Sequence, residues 1–291
     1  MLSTRSKIAI AKVLHRLVRV GHLVTGRPMC GPFTRRGIRW QLDLSEGIDL
    51  MIYLAGAFEP STVRAYEKLI APGDVVFDIG ANIGAHSLRF ARLVGAQGRV
   101  HAFDPAQPAI DKLRVNCALN PELASRIVIN HAFCTDRIGR TIPEAVYASW
   151  PLTGSAAGLH AAHLGRLHPV GSPRLEILDD YVERNRLPRV DFIKLDVDGS
   201  EVSVLRGARK ILARDQPVIL TEVALYIFKE NGEDIREFWS IFRDQGYRMR
   251  LLNSRREIPL DSEYFAAHLP EHSSINVVLE HPNRAGGRRP A

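Results

Sequence analysis

Read for the alternation of apolar and polar positions, the chain divides into a helical opening, an irregular connection, and a long regular body. From Ser6 to Val24, residues Ile10, Val13, Leu14, Leu17, Val20 and Val24 recur at helical spacing, with Lys12, Arg16 and Arg19 on another face. This predicts a basic amphipathic helix. Two destinations for its apolar stripe are open, the protein core or the surface of an anionic membrane. Gly26, Pro28, Gly31, Pro32 and Gly37 break the pattern, and the alternation over 38–44 predicts a strand.

A helix over 61–70, stopped by Pro72-Gly73, opens the regular part. Strands are predicted at 75–79, 99–103, 126–132, 190–196, 217–222, 247–252 and 274–280. Helices are predicted at 84–94, 107–119, 178–186, 200–213 and 233–245. Strands alternating with helices specify a parallel, doubly wound α/β sheet, here of seven strands, mostly parallel, with helices on both faces. The stretch 143–173 is too long for an ordinary connection and is expected to serve function or be disordered. Three divisions follow: an N-terminal helix and strand extension (1–60), a sheet domain (61–283), and a disordered basic tail (284–291).

Net charge is +7, but it is unevenly placed. Nine of the 39 basic residues precede Gln41 with no acidic residue among them, and three more follow Glu280. The body between them carries 27 basic against 32 acidic residues. A mildly acidic body with basic ends disfavours a broad nucleic-acid footprint. Cys30, Cys117 and Cys134 form no Cys-x-x-Cys pair, so neither a zinc site nor a disulfide framework is indicated. No apolar run reaches membrane-spanning length and no secretory leader is evident. The expected location is cytoplasmic, with the basic helix able to rest peripherally on the inner membrane surface.

The chemistry gathers at strand ends. Val75-Val76-Phe77 runs into Asp78, and Asp78-Ile79-Gly80-Ala81-Asn82-Ile83-Gly84 forms a glycine-rich turn opening into a helix, where backbone and unpaired N–H groups can approach a ligand. The spacing is not the Gly-x-Gly-x-x-Gly of dinucleotide sites, which argues against a nicotinamide dehydrogenase. An acidic residue entering the turn suits an amino-acid ammonium better than a diphosphate. The next strand ends in Asp104-Pro105, where a carboxylate can accept hydrogen bonds from both ribose hydroxyls. Asp136, after the third strand, fits a turn. The cofactor-binding set is therefore Asp78, Gly80, Asn82, Gly84 and Asp104.

Together with Asn116 to Asn120, the segments Phe77 to Gly84 and Val100 to Pro105, and Phe192-Ile193-Lys194-Leu195-Asp196-Val197-Asp198-Gly199-Ser200-Glu201 followed by Val204 to Ala208, resemble the FkbM-type methyltransferase family. The resemblance runs from about Ser61 to Val223. It implies a class I (Rossmann-like) methyltransferase fold, S-adenosyl-L-methionine as cofactor, and O-methylation of a hydroxyl on a sugar, glycan or natural-product small molecule. That fold contacts the adenine edge after its third strand, so the resemblance gives Asp136 an adenine amine as the alternative to a turn and adds it to the cofactor-binding set. Two positions depart from the common pattern, with Asp104 and Asp198 where members often carry Glu. Acceptors of other kinds, nucleic acid or protein, and a non-catalytic cofactor-binding role stand as alternatives. The Asn/Asp-Pro-Pro-aromatic turn usual in base methyltransferases is missing, since Asp196-Val197-Asp198-Gly199 stands in its place.

An aliphatic hydroxyl is a weak nucleophile and gains from a base or a metal. Asp196 is the leading candidate base, with Asp198 and, at the end of the fifth strand, Glu222 as neighbours. The same three carboxylates could bind a divalent cation such as magnesium, or Asp198 to Glu201 could merely turn the chain and cap the next helix. His86 can face either substrate or core. His160, His163 and His168 lack metal-ligand spacing and read as surface histidines. Neither the acceptor's identity nor the oligomeric state is legible.

Overall fold

The computed structural model describes residues 4–154, 157–160, 164–252, 254–270 and 272–285. Its strands are β1 (Cys30–Arg35), β2 (Ile38–Asp43), β3 (Val75–Ile79), β4 (Arg99–Asp104), β5 (Ile127–Cys134), β6 (Ala145–Ser149), β7 (Arg166–Pro169), β8 (Arg174–Glu176), β9 (Phe192–Leu195), β10 (Val218–Val223), β11 (Arg248–Leu251), β12 (Glu257–Ile258) and β13 (Ile275–Glu280). The main sheet runs β12-β11-β13-β10-β9-β3-β4-β5-β8. From β10 through β9, β3, β4 and β5 to β8 the pairing is parallel, while β13 lies antiparallel to β10 and β11. The seven expected strands are present, but the sheet has nine among the described residues. The two additions, β8 and β12, are edge strands of three and two residues. Runs that short carry no readable period.

β3 is buried along its whole length, as is β9, which is why both read as apolar runs broken only by Asp78 and Lys194. One hydrophobic core lies on each face. One gathers Tyr181, Leu205, Phe238, Trp239 and Phe242. The other joins Val76, Phe90, Val100 and Leu220 to Trp40, Leu42 and Ile52. The segment from β2 through the helix Gly47–Ala55 therefore shares a core with the sheet. Asn116 and Asn120, on and just after the helix Gln107–Ala118, fasten it there: the Asn116 carboxamide accepts from the Gln41 amide at 2.8 Å, and that of Asn120 from Arg39 at 3.0 Å.

The opening helix spans Thr4–Thr25, but a face other than the apolar stripe goes inward. Ile8, His15 and His22 are buried, with Ala11, Leu14 and Val18 packed beside them. Of the expected stripe, Ile10, Val13, Leu17, Val20 and Val24 are exposed. The reading that packs this stripe on the core is thereby corrected. The inward face was hidden because histidines hold it: the His22 imidazole bridges the Pro28 carbonyl and the Tyr53 hydroxyl, each at 3.0 Å.

The 143–173 stretch contains a hairpin, β6 with β7, paired antiparallel. The helix expected over 200–213 is two, Glu201–Arg206 and Arg209–Asp215, parted at Gly207 where a Cβ would overlap the Thr135 carbonyl. Pro282–Ala285 is a short helix, and the rest of the expected tail lies outside the described residues. Cys30, Cys117 and Cys134 are all free thiols. No described helix is long and apolar enough to cross a membrane.

Candidate active site

In a doubly wound sheet, ligands bind beyond the carboxyl ends of the strands where successive connections leave in opposite directions. Here that point lies between β3, which continues to β4 on one side, and β9 on the other. A cleft of about 700 Å³ opens there, and its lining includes Gly80, Asn82, Asp104, Lys194, Asp196 and Asp198.

The β3 turn is built on left-handed backbone at Gly80 (φ 83°), Asn82 (φ 49°) and Gly84 (φ 84°). Asparagine tolerates this region because its short amide bonds locally, and the Asn82 carboxamide accepts from the Ile83 amide at 2.8 Å while donating to the Ala148 carbonyl at 2.7 Å. Its own amide donates to Asp104 Oδ2 at 2.8 Å, and that of Ala106 to Asp104 Oδ1 at 2.8 Å. Each Asp104 oxygen thus has acceptor capacity left over. Burial pushes the Asp104 carboxyl up to about 6, against the pull of those amides.

The backbone alone requires glycine at position 80. A Cβ there would overlap the backbone carbonyl of Asp196, so the β3 and β9 loops touch at this glycine. At Gly84 a Cβ would meet the Leu113 side chain, which reserves that glycine for packing of the helix behind.

Asp78 stands behind the cleft wall. It is fully buried, accepts from the Ser87 hydroxyl at 2.5 Å, and presents its other oxygen to Lys194 Nζ at 3.9 Å. Burial, offset in part by that ammonium, pushes its carboxyl up to about 6. Lys194 is the residue the sequence reading passed over. Buried at the end of β9, its Nζ donates to Asp196 Oδ2 at 2.9 Å. Burial alone works against its charge, yet Asp196 and Asp78 outweigh that and hold the ammonium above the ordinary lysine range. A lysine inside the apolar run Phe192–Leu195 was the available signal, because a buried charge needs partners.

Beyond β9, Asp196, Asp198, Glu201 and Glu222 crowd together, with Lys194 among them. Asp198 takes a left-handed backbone (φ 49°) and faces the cleft. Burial first, then the charges of Asp196, Glu222 and Glu201, push its carboxyl well above the carboxylate range. Burial likewise raises Glu201 to about 7, and its Oε1 accepts from the Val197 amide at 3.2 Å. Asp198 does not cap the following helix. Glu233, from a different part of the chain, accepts from the Val202 and Ser203 amides at 2.8 and 3.2 Å. Glu222 accepts from the Ser274 hydroxyl and lies outside the main cleft lining. Among the described residues no three His, Cys, Asp or Glu side chains converge closely enough to hold a metal ion.

Asp136 also lies outside that lining, paired with Arg206 at 3.5 Å; Phe133 and Cys134 reach the cleft from β5 instead. His86 satisfies both options left open for it, since it lines the cleft yet is buried against Phe58 and Phe90, its Nδ1 3.3 Å from the Tyr66 hydroxyl. Burial, with the nearby Lys194 and Arg89 charges, pushes it well below the usual histidine range. His160 lines the cleft beside Tyr147 and pairs with Glu230 at 3.1 Å. His168 pairs with the Ser149 hydroxyl at 2.8 Å, and His163 lies outside the described residues. The far wall, missed entirely in the sequence, is formed by Ile48, Phe58 and Trp150, the last two rings stacked at 6.4 Å.

The central order β5-β4-β3-β9-β10-β13-β11, with its single antiparallel insertion and a cleft at the β3/β9 divide, is that of the class I methyltransferases. A family model described as the Methyltransferase FkbM domain matches residues 78–249, more than half of the chain, and the chain belongs to that family. It is similar to the hexuronic acid methyltransferase AglP of Haloferax volcanii, 26% identical over 156 residues that make up 53% of this chain and 58% of that one. It is similar also to the 31-O-demethyl-FK506 methyltransferase FkbM of Streptomyces tacrolimicus, 31% identical over 161 residues (47% and 60% of the two chains). A third relative is the 2-O-methyltransferase NoeI of Sinorhizobium fredii, 26% identical over 168 residues (53% and 67%). The chain thus spans about six-tenths of the length of the first two.

Proposed function

We propose that this protein is an S-adenosylmethionine-dependent O-methyltransferase acting on a hydroxyl of a sugar or natural-product small molecule. The observation that carries the reading is the meeting, in one cleft, of the Gly80–Asn82 turn, the spare acceptor capacity of Asp104, and the Asp196–Asp198 carboxylates. These residues fit the cofactor's parts: Asp104 suits the ribose hydroxyls, Phe133 and Cys134 an adenine face, and the Gly80 backbone with Asp196 the aminoacyl end. When bound, S-adenosylmethionine supplies an electrophilic methyl group on a sulfonium.

The remaining work belongs to the chain. Positioning the acceptor in line is the main demand of such a displacement, and removing the hydroxyl proton is the second. Asp196 is held by Lys194 at 2.9 Å, so one of its oxygens is already committed to an ammonium. Asp198, whose environment favours the protonated form, is the stronger base once ionised. Asp198 therefore takes the hydroxyl proton, and Asp196 with Lys194 fixes the β9 loop beside it. The names of the three relatives, two of which specify an oxygen position, support a hydroxyl acceptor.

Calorimetry with S-adenosylmethionine, followed by mass spectrometry for methyl transfer to uronic-acid oligosaccharides and macrolide-type hydroxyl compounds, tests this reading. Binding with transfer to a hydroxyl of either class is expected. Transfer only to RNA or protein overturns the acceptor assignment, and binding without turnover on any of these overturns the enzymatic one.

A further inference from the structure

The helix Thr4–Thr25 packs Ile8, Leu14 and Val18 inward and carries a second apolar strip outward. Its inward face carries two buried histidines, whereas Ile10, Val13, Leu17, Val20, Leu23 and Val24 stand between 49% and 83% exposed. Single exposed apolar residues need no explanation, but a contiguous apolar strip marks an interaction site. At 100° per residue, Ile10, Val13, Leu17, Val20 and Val24 fall within one outward arc of the helix. Lys12, Arg16 and Arg19, all exposed, line one flank of that arc.

We infer that this face lies on an anionic lipid surface, with the aliphatic side chains entering the headgroup boundary and the flanking cations meeting lipid phosphates. The arrangement is that of interfacial helices, an apolar strip bordered by Lys and Arg whose stems can run along the boundary. Charge decides between this occupant and a second copy of the chain. No acidic residue occurs in the helix or anywhere in the first 40 positions. Two copies packed through this strip would face Arg16 and Arg19 with the same cations, whereas a phosphatidylglycerol surface offers the missing negative charge. The contact is peripheral, since no described helix is long and apolar enough to cross. The inward face fixes the helix to the body, because Leu14 and Val18 pack with the core and His22 is tied to Pro28 and Tyr53.

The full chain should be tested by co-sedimentation with vesicles of phosphatidylcholine and phosphatidylglycerol in equal parts, and with phosphatidylcholine alone. Binding is expected only to the anionic vesicles. The variant Val13→Gln/Leu17→Gln/Val20→Gln, which touches no buried residue, should lower partitioning at least tenfold with its melting temperature unchanged. Lys12→Glu/Arg16→Glu should lower it similarly, and more so at low salt. Failure of the parent chain to bind overturns the inference. So does binding that survives the glutamine variant, since adsorption would then be purely electrostatic, and so does a dimer in sedimentation equilibrium that the glutamine variant dissolves.

Discussion

The two walls of the cleft differ in how they are assembled. The wall made by the β3 and β9 loops comes from short consecutive stretches, Asp78 to Gly84 and Lys194 to Asp198, locked by backbone contact and buried charge. The opposite wall draws Ile48, Phe58, Trp150, His160 and Glu230 from across most of the chain, and depends on ring stacking and a partly exposed contact between His160 and Glu230. The first wall suits a part of the reaction that never changes, the second a part that can vary between related enzymes. Rigid sheet ends with adaptable loops above them are a recurring division of labour.

The sharpest way to break this contrast is at Gly80. Gly80→Ala places a Cβ in left-handed backbone and against the Asp196 carbonyl. Strain of about 1–2 kcal/mol adds to overpacking of about 1–3 kcal/mol, so thermal melting should show a loss of roughly 2–5 kcal/mol. Cofactor binding should vanish with it, because the overlap displaces the β9 loop as well as the turn. A variant that melts like the parent would mean that the two loops do not share this contact.

The next effect is chemical. If Asp198 is the base, activity requires its ionised form, so the rate rises with pH as the carboxyl loses its proton. Burial and neighbouring carboxylates raise that carboxyl well above its ordinary value of 3.8, which moves the acid limb of the kcat profile up from the usual carboxylate range. Asp198→Asn should lower kcat about 10²–10⁴-fold and abolish the limb, leaving the calorimetric Kd for S-adenosylmethionine unchanged. Asp196→Asn makes the control, since a rate loss of the same size with the acid limb shifted rather than abolished would give Asp196 a positioning role through Lys194. Were the limb to vanish in Asp196→Asn and persist in Asp198→Asn, the roles would be exchanged.

The same contrast explains what could be read from the sequence. Strand ends in a parallel sheet converge on one edge, so Asp78, Gly80, Asn82, Asp104, Asp196 and Asp198 were legible from their places after apolar runs. Their exact duties were less so, for a motif does not say that Gly80 is reserved for Asp196 or that Asp78 turns away from the cleft toward Ser87 and Lys194. Asp136 shared the same strand-end logic, but its partner Arg206 lies 70 positions away on a helix. In the opening helix the period was plain, and the direction of the inward face was not, because His15 and His22 count as polar in any hydrophobic pattern. The β6–β7 hairpin escaped notice since a long stretch of chain, rather than a two-residue loop, separates its strands.

The mildest perturbation addresses the assembled wall. Trp150 stacks on Phe58, and its backbone carbonyl accepts from the Gly47 amide at 2.9 Å, so Trp150→Ala removes the ring while keeping the main-chain tie. A flat aromatic pair over a polar cleft floor is the kind of surface on which a sugar or macrocycle ring rests, and losing one such contact is worth about 1.4 kcal/mol, or roughly tenfold in affinity. The expected result is an acceptor KM about tenfold higher with kcat nearly kept, which is the pattern of lost ground-state binding. The Kd for S-adenosylmethionine should stay where it was, because Gly80, Asn82 and Asp104 are held by contacts that do not involve the indole. If calorimetry instead finds cofactor affinity falling together with acceptor affinity, the two walls are coupled, and the hydrogen bond from Asn82 to the Ala148 carbonyl, two residues before Trp150, is the connection to cut next.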